Sequence, residues 1–306
     1  MPSDFFPIAC AINDAYILPL AVLLDSLKRH LSPSYRPVLY LIHTGLSPAR
    51  LDLLAASVET HAIVPSAAEL GTLPRDPRFP AEAAMPLLLA ELLPASLERV
   101  LFLDADMLVM DDPAQLWETG LDGHVLAAAP DGAVPRCSSP RGVKNWKRLG
   151  IPAAAPYFNG GLLLIDLVRW REREVNRRVR HYFETVHERI DFLHQEALNA
   201  VLWNDWKQLD ERWNLPARYA PGRTTHDAPE ASPRPGIVHF AGRMKPWRAP
   251  AGGPFNASYQ ETLQRVLALV PPEPPSLRDR LQSAYDRHFR DAFYPLEQFL
   301  WRQRLI

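Results

Sequence analysis

Short apolar runs alternate with stretches of helical periodicity through the N-terminal third of the sequence, and this alternation restricts the fold more than any other feature. Phe6–Ile12 is an apolar run that ends at the turn pair Asn13-Asp14. Pro19–His30 then places apolar side chains at helical spacing and ends on three basic residues, which suit the negative end of a helix dipole. Val38–Ile42 is a second apolar run. Strands and helices that alternate in this way predict a mostly parallel sheet with helices on both faces.

The same criteria extend this pattern over most of the chain. Further strands are predicted at Ala62–Val64, Val100–Leu103, Val125–Ala129, Leu162–Leu167 and Ile237–Phe240. Further helices are predicted at residues 47–57, Ala81–Leu93, Arg171–Glu188 and Leu193–Trp203. In open sheets of this kind, ligands bind beyond the carboxyl ends of the strands. The polar residues that follow predicted strands are therefore the first candidates for a functional site.

The length of the chain and its prolines indicate one large unit with an appendage. A chain of 306 residues suits one large domain, and the proline-rich stretch Pro271–Pro275 precedes a segment of helical periodicity. We therefore predict a main domain over residues 1–270 and a C-terminal helical appendage over residues 271–306.

Charge and cysteine usage exclude several classes of protein. The formal net charge of −1 lacks the basic excess that a nucleic-acid partner would require. The two cysteines, Cys10 and Cys137, provide neither a disulfide framework nor zinc-binding spacing, which favours a reducing compartment. We expect a cytoplasmic protein, because the N-terminus lacks a basic signal-peptide segment and no run of apolar residues is long enough to span a membrane.

Two carboxylates follow the predicted strand Val100–Leu103. Asp104 and Asp106 are separated by the small residue Ala105. Magnesium and manganese ions prefer such oxygen ligands and often bridge them to the phosphates of a substrate. An Asp-x-Asp pair can also serve only as a turn at the end of a strand. A haloacid-type phosphatase would carry the pair on its first strand, so its position beyond residue 100 speaks against that class.

A second cluster follows the predicted strand Ile237–Phe240. His239, Gly242 and Lys245 are spaced three residues apart. A histidine can bind a metal ion, a glycine permits close approach of the backbone, and a lysine can neutralise a phosphate. Since the chain has neither a Gly-x-Gly-x-x-Gly nor a Walker-type loop, a divalent ion together with Lys245 would have to meet the charge of a bound phosphate.

With these residues the chain resembles glycosyltransferase family 8, which includes bacterial lipopolysaccharide galactosyl- and glucosyltransferases and glycogenin. The resemblance covers roughly residues 6–250 and rests on an ordered set of motifs. They are Asn13-Asp14-Ala15-Tyr16, Asp104-Ala105-Asp106, Phe158-Asn159-Gly160-Gly161, His194-Gln195-Glu196 and His239–Trp247. The resemblance implies a glycosyltransferase A-type, Rossmann-like fold, a UDP-sugar donor, Mn²⁺ or Mg²⁺, and retention of the anomeric configuration.

The resemblance also implies roles for individual residues. Asp104, Asp106 and His239 would bind the metal ion, and Asp104 and Ala105 would also lie near the nucleotide. Gly242 and Lys245 would hold the diphosphate. The base would contact Asn13, Asp14 and Tyr16, although Tyr16 can equally serve to cover the edge of the sheet. The donor sugar would contact Asn159, Gly160, Gly161, His194 and Gln195, although Asn159-Gly160-Gly161 can also be only a turn.

Gln195 and Asn159 are the candidate catalytic residues. No Asp or Glu is clearly positioned by the sequence to act as a nucleophile, and a glutamine is a poor one. We therefore favour attack on the same face of the sugar as the departing diphosphate.

Two positions depart from the pattern of the family. An arginine that usually reaches the donor is absent from Met85-Pro86-Leu87, and His194 stands where an aspartate usually grips hydroxyls of the donor sugar. The metal and nucleotide positions match the pattern. The departures leave the donor sugar open and motivate an alternative, a nucleotide-sugar-binding protein with weak or lost catalysis.

The acceptor is expected to be a glycan or a lipid-linked glycan. In the C-terminal segment, Leu277, Leu281, Tyr285 and Phe289 are four residues apart and alternate with arginines. Such a helix can lie on the inner face of an anionic membrane. Because acidic residues dilute its positive charge, we favour a helix that packs on the catalytic domain.

Overall fold

The structure is a computed structural model that describes residues 4–74, 76, 78–186, 189–217, 234–242, 245–248 and 255–269. The predicted C-terminal appendage, residues 271–306, lies outside these ranges and stays a prediction.

The described residues form ten strands and nine α-helices. The strands are β1 (Phe5–Ile12), β2 (Arg36–His43), β3 (Glu59–Ile63), β4 (Arg99–Leu103), β5 (Met107–Val109), β6 (Leu126–Ala128), β7 (Leu162–Asp166), β8 (Trp206–Gln208), β9 (Leu215–Pro216) and β10 (Ile237–His239). The helices are α1 (Ile17–His30), α2 (Pro48–Ala55), α3 (Ala67–Gly71), α4 (Leu89–Leu92), α5 (Ala114–Trp117), α6 (Leu167–Glu172), α7 (Val175–Thr185), α8 (Leu193–Leu202) and α9 (Asn256–Leu269). Three 3-10 helices occupy Asp14–Tyr16, Ala81–Leu88 and Glu211–Asn214.

A seven-stranded sheet in the order β3-β2-β1-β4-β7-β6-β8 forms the centre of the described fold. Its ladders are parallel except for those on either side of β7, which runs antiparallel to both β4 and β6. A second sheet contains β5, β10 and β9. The predicted class, an α/β fold with a mostly parallel sheet, is confirmed.

Both faces of the large sheet are buried, as the continuous apolar strands require. Along β1, Ile8 and Cys10 belong to a core that includes α1, and Ala9 belongs to a second core that includes α8. Because side chains alternate between the faces of a strand, one apolar run supplies both cores. Helix α9, which the sequence analysis did not predict, packs against α1 in the first core.

Several predicted elements were placed wrongly. The third strand is Glu59–Ile63 rather than Ala62–Val64, and most of its side chains are exposed or half-buried because it is an edge strand. The predicted helix Arg171–Glu188 is divided into α6 and α7 by Glu174, whose φ of 49° is left-handed. The predicted helix Ala81–Leu93 is 3-10 up to Leu88 and contains Pro86, which cannot donate a backbone hydrogen bond.

Within the part of the chain that the structure describes, no helix combines the length and apolar character needed to cross a membrane.

Candidate active site

Two backbone ladders bring the Asp104-Ala105-Asp106 turn and His239 together. The turn joins β4 to β5, and β5 pairs antiparallel with β10 so that Met107 lies opposite His239. The turn is fixed at both ends, since the Asp104 N–H donates to the Gly161 carbonyl (2.7 Å) and the Phe240 N–H donates to the Asp106 carbonyl (2.9 Å). Residues separated by more than a hundred positions in the chain therefore face one another.

Asp104, Asp106 and His239 form a compact group of potential metal ligands. One ligand atom from each of the three lies within 4.8 Å of the others. The Nε2 atom of His239 is 3.3 Å from Oδ1 of Asp106 and 3.7 Å from Oδ2 of Asp104. The Asp106 and His239 side chains are buried, and the Asp104 side chain is 35% exposed. Two carboxylates and one imidazole suit a divalent ion such as Mn²⁺.

The space beside this group depends on Gly161. A Cβ atom at this position would come within 2.4 Å of Cε1 of His239 and 2.7 Å of Oδ2 of Asp104. A larger residue would therefore displace two of the three potential ligands. This close approach gives a local reason for the glycine, and it fits a site that must accommodate an ion.

The charges of Asp104, Asp106 and His239 shift one another's pKa values. Burial works to raise the pKa of Asp106, but the charges of His239 and Lys245 outweigh it and hold this pKa well below its usual value. Burial, which removes water from the carboxylate, is the main cause of the raised pKa of Asp104, and repulsion from Asp106 raises it further. Burial lowers the pKa of His239, and attraction to Asp106 and Asp104 outweighs this and raises it. The group therefore concentrates negative charge that a cation can compensate.

Lys245 supplies such compensation in this structure. Its Nζ atom donates to Oδ2 of Asp106 and to the Phe240 carbonyl (2.8 Å), and the residue is 7% exposed. Gly242 lies before it with a φ of 91°, a left-handed backbone that favours glycine. The segment after β10 thus brings a cation directly to the two carboxylates.

A chain of side-chain hydrogen bonds connects His239 to helix α8. Asn214 accepts a bond from Nδ1 of His239 (2.9 Å) and donates to Oδ1 of Asn159 (2.9 Å). Asn159 donates to Oδ2 of Asp131 (2.9 Å), and so does Nε2 of Gln195 (3.1 Å). We call these five residues the Asp131 network. Because Nδ1 of His239 bonds Asn214, its Nε2 atom is the ring nitrogen that faces the carboxylates.

The Asp131 network also orders the Gly160-Gly161 segment. Oε1 of Gln195 accepts a bond from the Gly160 N–H (2.8 Å), and Oδ1 of Asn159 accepts one from the Gly161 N–H (2.9 Å). Both ends of the Gln195 amide are thus bonded within the protein. The predicted sugar-binding residues Asn159, Gly160, Gly161 and Gln195 are brought together next to the metal-ligand group.

His194 lies next to the Gly160-Gly161 segment, and both of its ring nitrogens face backbone carbonyl groups. Its Nδ1 atom lies 2.7 Å from the Ala83 carbonyl oxygen, and its Nε2 atom lies 3.3 Å from the Gly160 carbonyl oxygen. The imidazole therefore bridges the 3-10 helix Ala81–Leu88 and the Gly160-Gly161 segment. Met85-Pro86-Leu87, the stretch from which an arginine is absent, is buried.

The predicted base-binding residues lie at the end of β1. Asn13 caps the 3-10 helix that follows, accepting a bond from the Ala15 N–H (3.1 Å), and Asp14 is exposed and paired with Arg50 (2.5 Å). Tyr16 packs edge-on against Trp247 with 5.6 Å between ring centroids. Burial is the largest cause of the raised pKa of Tyr16.

Sequence reasoning missed two residues of the Asp131 network, Asp131 and Asn214. Asp131 follows β6, and its place after a strand of the sheet is the one signal that could have identified it. Asn214 ends a 3-10 helix and belongs to none of the recognised motifs. Its role depends on contacts made by distant parts of the chain.

Comparisons with known proteins identify the family of this chain. The model of the family described as glycosyl transferase family 8 matches residues 7–251. This chain belongs to glycosyltransferase family 8. The match spans the metal-ligand group, the Asp131 network and the segment that carries Lys245.

Curated relatives of this glycosyltransferase family 8 chain match it over part of their length. General stress protein A of Bacillus subtilis (strain 168) is 29% identical over 177 residues, which are 54% of this chain and 58% of the relative. The probable galacturonosyltransferase-like 3 of Arabidopsis thaliana is 30% identical over 171 residues, 52% of this chain and 48% of the relative. The matched region thus spans about half the length of these relatives.

Solved structures show the same fold as this family 8 chain. The galactosyltransferase LgtC, in complex with donor and acceptor sugar analogs, has a TM-score of 0.72 and 22% identity, with 89% of this chain and 99% of that chain covered. The glycosyltransferase GlyE of Streptococcus pneumoniae TIGR4 has a TM-score of 0.61 and 21% identity, with 86% of this chain and 63% of that chain covered. The fold is glycosyltransferase A-type.

Proposed function

We propose that this glycosyltransferase transfers a hexose, glucose or galactose, from a UDP-sugar to a hydroxyl group of a glycan or lipid-linked glycan, with retention of configuration and with Mn²⁺ or Mg²⁺. The observation that carries the proposal is the group of Asp104, Asp106 and His239 within 4.8 Å at the carboxyl edge of the sheet. A cytoplasmic location and an acceptor of the lipopolysaccharide type belong to the same proposal.

The metal ion and the diphosphate would be held by neighbouring residues. Asp104, Asp106 and His239 would bind the ion, which supplies Lewis-acid stabilisation of the departing diphosphate when it is present. Lys245, which now pairs with Asp106, would turn its ammonium group to the diphosphate once a divalent cation compensates the carboxylates. Gly242 would allow the backbone to approach the phosphates.

The nucleotide would lie along the ends of β1 and β4. Asn13 and Asp14 would bond the edge of the uracil base, and Tyr16, whose ring is held by Trp247, would stack on it. Ala105, between the two carboxylates, would leave room for the ribose beside Asp104. The pairing of Asp14 with Arg50 would have to loosen for Asp14 to reach the base.

The donor sugar would lie against Gly160, Gly161 and His194, and Asn159 and Gln195 would orient it. Because both ends of the Gln195 amide are bonded to the protein, this residue is suited to positioning rather than to nucleophilic attack. Asp131 is engaged by both amides and would keep them in place. We therefore favour attack by the acceptor hydroxyl on the face from which the diphosphate departs.

The alternative, a nucleotide-sugar-binding protein with weak or lost catalysis, is favoured by two observations. The buried stretch Met85-Pro86-Leu87 lacks the arginine that the family usually has there and that reaches the donor. Both ring nitrogens of His194 face backbone carbonyls. The imidazole therefore cannot accept hydrogen bonds from sugar hydroxyls in the way that an aspartate would.

The test is to measure UDP binding by calorimetry with and without Mn²⁺, and then turnover of UDP-glucose and UDP-galactose. Metal-dependent binding with donor hydrolysis or transfer supports the transferase, and metal-dependent binding without turnover supports the alternative. Metal-independent binding contradicts the proposed role of the metal ion, and absence of UDP binding contradicts both.

Donor choice is tested by His194→Asp, for which we expect the ratio of the two kcat/KM values to change about tenfold, or ~1.4 kcal/mol. Parallel changes for the two donors would mean that His194 does not contact the sugar.

A further inference from the structure

A basic turn forms a pocket that the proposed reaction does not use. Residues 144–148 line a cavity of about 360 Å³, within the range of small-ligand sites. Three of the five side chains are basic, Lys144, Lys147 and Arg148, and the other two are Asn145 and Trp146. We call this cavity the basic pocket.

Asn145 is the residue of the basic pocket whose side-chain amide lacks hydrogen bonds to the described residues. It is only 7% exposed, and neither Nδ2 nor Oδ1 of its amide has a hydrogen-bond partner among the described residues. A buried amide without partners is costly, and native structures retain few of them. Both amide atoms are covered by protein in this structure, so the amide would have to turn toward the pocket to bond a ligand with donor and acceptor groups, such as the hydroxyls of a sugar.

The charges of the basic pocket favour an anion. The Lys144 ammonium is neutralised by Asp191 and also donates to the Pro140 carbonyl (2.8 Å), so it anchors the turn. Lys147 and Arg148 are exposed and have no carboxylate partner among the residues that the structure describes. Arg148 donates to the Thr185 carbonyl, and Lys147 lies 5.4 Å from the centroid of the Trp146 ring. Two cations are thus available beside the unpartnered amide.

Trp146 gives the basic pocket an apolar surface. The residue is half-buried, and its body packs against the core that contains helix α8. A flat aromatic ring beside polar groups is suited to a ligand with one apolar and one polar side, as a pyranose ring has. The pocket therefore combines a stacking surface, an amide and positive charge.

The basic pocket is connected to the candidate active site through Glu196, the neighbour of Gln195. Glu196 is fully buried and accepts bonds from the Lys144 N–H (3.2 Å) and from the Tyr182 hydroxyl (2.8 Å). The turn that forms the pocket is thus fixed to the helix whose Gln195 we assign to the donor sugar.

We propose that the basic pocket binds a saccharide unit that carries an acidic group, a carboxylate or a phosphate, as part of the acceptor; this inference rests on the proposed function. Asn145 would bond the hydroxyls of this unit, Trp146 would cover its apolar face, and Lys147 and Arg148 would pair with the anion. The pocket would select acidic glycans over neutral ones.

The test uses matched disaccharides and the full chain. Cellobiose, cellobiouronic acid and cellobiose 6′-phosphate differ in the acidic group, and their binding is measured by calorimetry at low and high salt. We expect at least one acidic disaccharide to bind about tenfold or more tightly than cellobiose, with an advantage that declines as salt increases. A preference for the carboxylate or the phosphate would identify which acidic unit is recognised. Equal binding of acidic and neutral disaccharides, or no binding at all, overturns the proposal.

Two variants test the residues. Asn145→Leu and Lys147→Ala should each weaken binding of the preferred disaccharide about tenfold. Arg177→Ala, which removes an exposed arginine on α7, is the control and should bind like the unaltered chain. Asn145→Leu should retain its Tm, because the amide it removes has no protein partner. A large loss of Tm would make Asn145 structural, and Lys147→Ala would then decide; unchanged binding in Lys147→Ala overturns the proposal.

Failure of this inference can be separated from failure of the proposed function. Mn²⁺-dependent UDP binding is measured on the same preparation of the unaltered chain. If UDP binds and acidic disaccharides are not preferred, only the assignment of the basic pocket is wrong. If UDP does not bind, the proposed function fails whatever the disaccharides do.

Discussion

The buried amides of the Asp131 network are fully bonded within the protein, whereas the buried amide of Asn145 has no partner among the described residues. Gln195 and Asn145 are equally buried, each 7% exposed, so the difference lies in their partners and not in access to water. In the first region the protein fixes the geometry of its own polar groups before any ligand arrives. In the second it leaves hydrogen-bonding capacity open. Bonded amides are typical of positioning, and open ones of direct recognition.

The largest effect is expected at the metal-ligand group, where a charge is removed. Asp106→Ala should abolish Mn²⁺-dependent UDP binding, a loss of more than about 100-fold, because it removes one of the two carboxylates that would hold the ion. Calorimetry with and without Mn²⁺ measures the effect. Asp52→Ala, at an exposed position of α2, is the control. Unchanged metal-dependent affinity in Asp106→Ala would remove this carboxylate from the site.

Asn214 tests whether the Asp131 network acts on the metal ligands. Asn214→Ala removes the acceptor that fixes Nδ1 of His239 (2.9 Å). We expect Mn²⁺ affinity to fall by about 10- to 100-fold, as for other residues that orient a metal-binding histidine. Titration of free Mn²⁺ by electron paramagnetic resonance gives the affinity. The matched control is Asn204→Ala at an exposed position, and equal affinities in the two variants would mean that the network does not orient His239.

Matched substitutions in the two regions give the most direct test of the comparison. Gln195→Met leaves the Gly160 N–H without a partner and removes one of the two bonds to Oδ2 of Asp131, and should lower the free energy of unfolding by about 2 kcal/mol. Asn145→Leu should change it by less than about 1 kcal/mol, or increase it, since no bond is lost. Urea denaturation measures both. Equal losses would show that Asn145 has a structural partner after all.

Lys245 should affect UDP binding less than Asp106 does. Lys245→Ala removes a cation assigned to the diphosphate and should weaken UDP binding about tenfold in the presence of Mn²⁺, equivalent to ~1.4 kcal/mol. Its Tm should fall little when Mn²⁺ is bound, because the ion also compensates Asp106. A large fall in Tm with normal UDP affinity would make Lys245 a structural partner of Asp106.

The strands of the central sheet were predictable wherever both faces are buried. Strands β1, β2, β4 and β7 are continuous apolar runs and were located to within a residue or two. The edge strand β3 was misplaced by about three residues at its start, because its polar residues give no such run. The antiparallel direction of β7 could not be read, since an apolar run has the same pattern in either direction.

The motif residues of the candidate site were predictable for a related reason. Asp104, Asp106 and His239 directly follow or end buried strands, where the edge of a sheet brings such residues together. The break at Glu174 escaped prediction because a glutamate in left-handed conformation carries no sequence signal. The role of Asn214 escaped because its partners are His239 and Asn159, both more than twenty residues away.

The sequence by itself determined the alternation of strands and helices, the two carboxylates at the end of a strand and the order of the motifs, because these depend on local periodicity and on neighbours along the chain. The tertiary structure alone decided that Asn214 orients His239, that Asp131 holds Asn159 and Gln195, and that the Asn145 amide has no hydrogen-bond partner among the described residues. Hydrogen bonds have a range of about 3 Å, so whether a buried amide is bonded depends on which distant segments pack beside it.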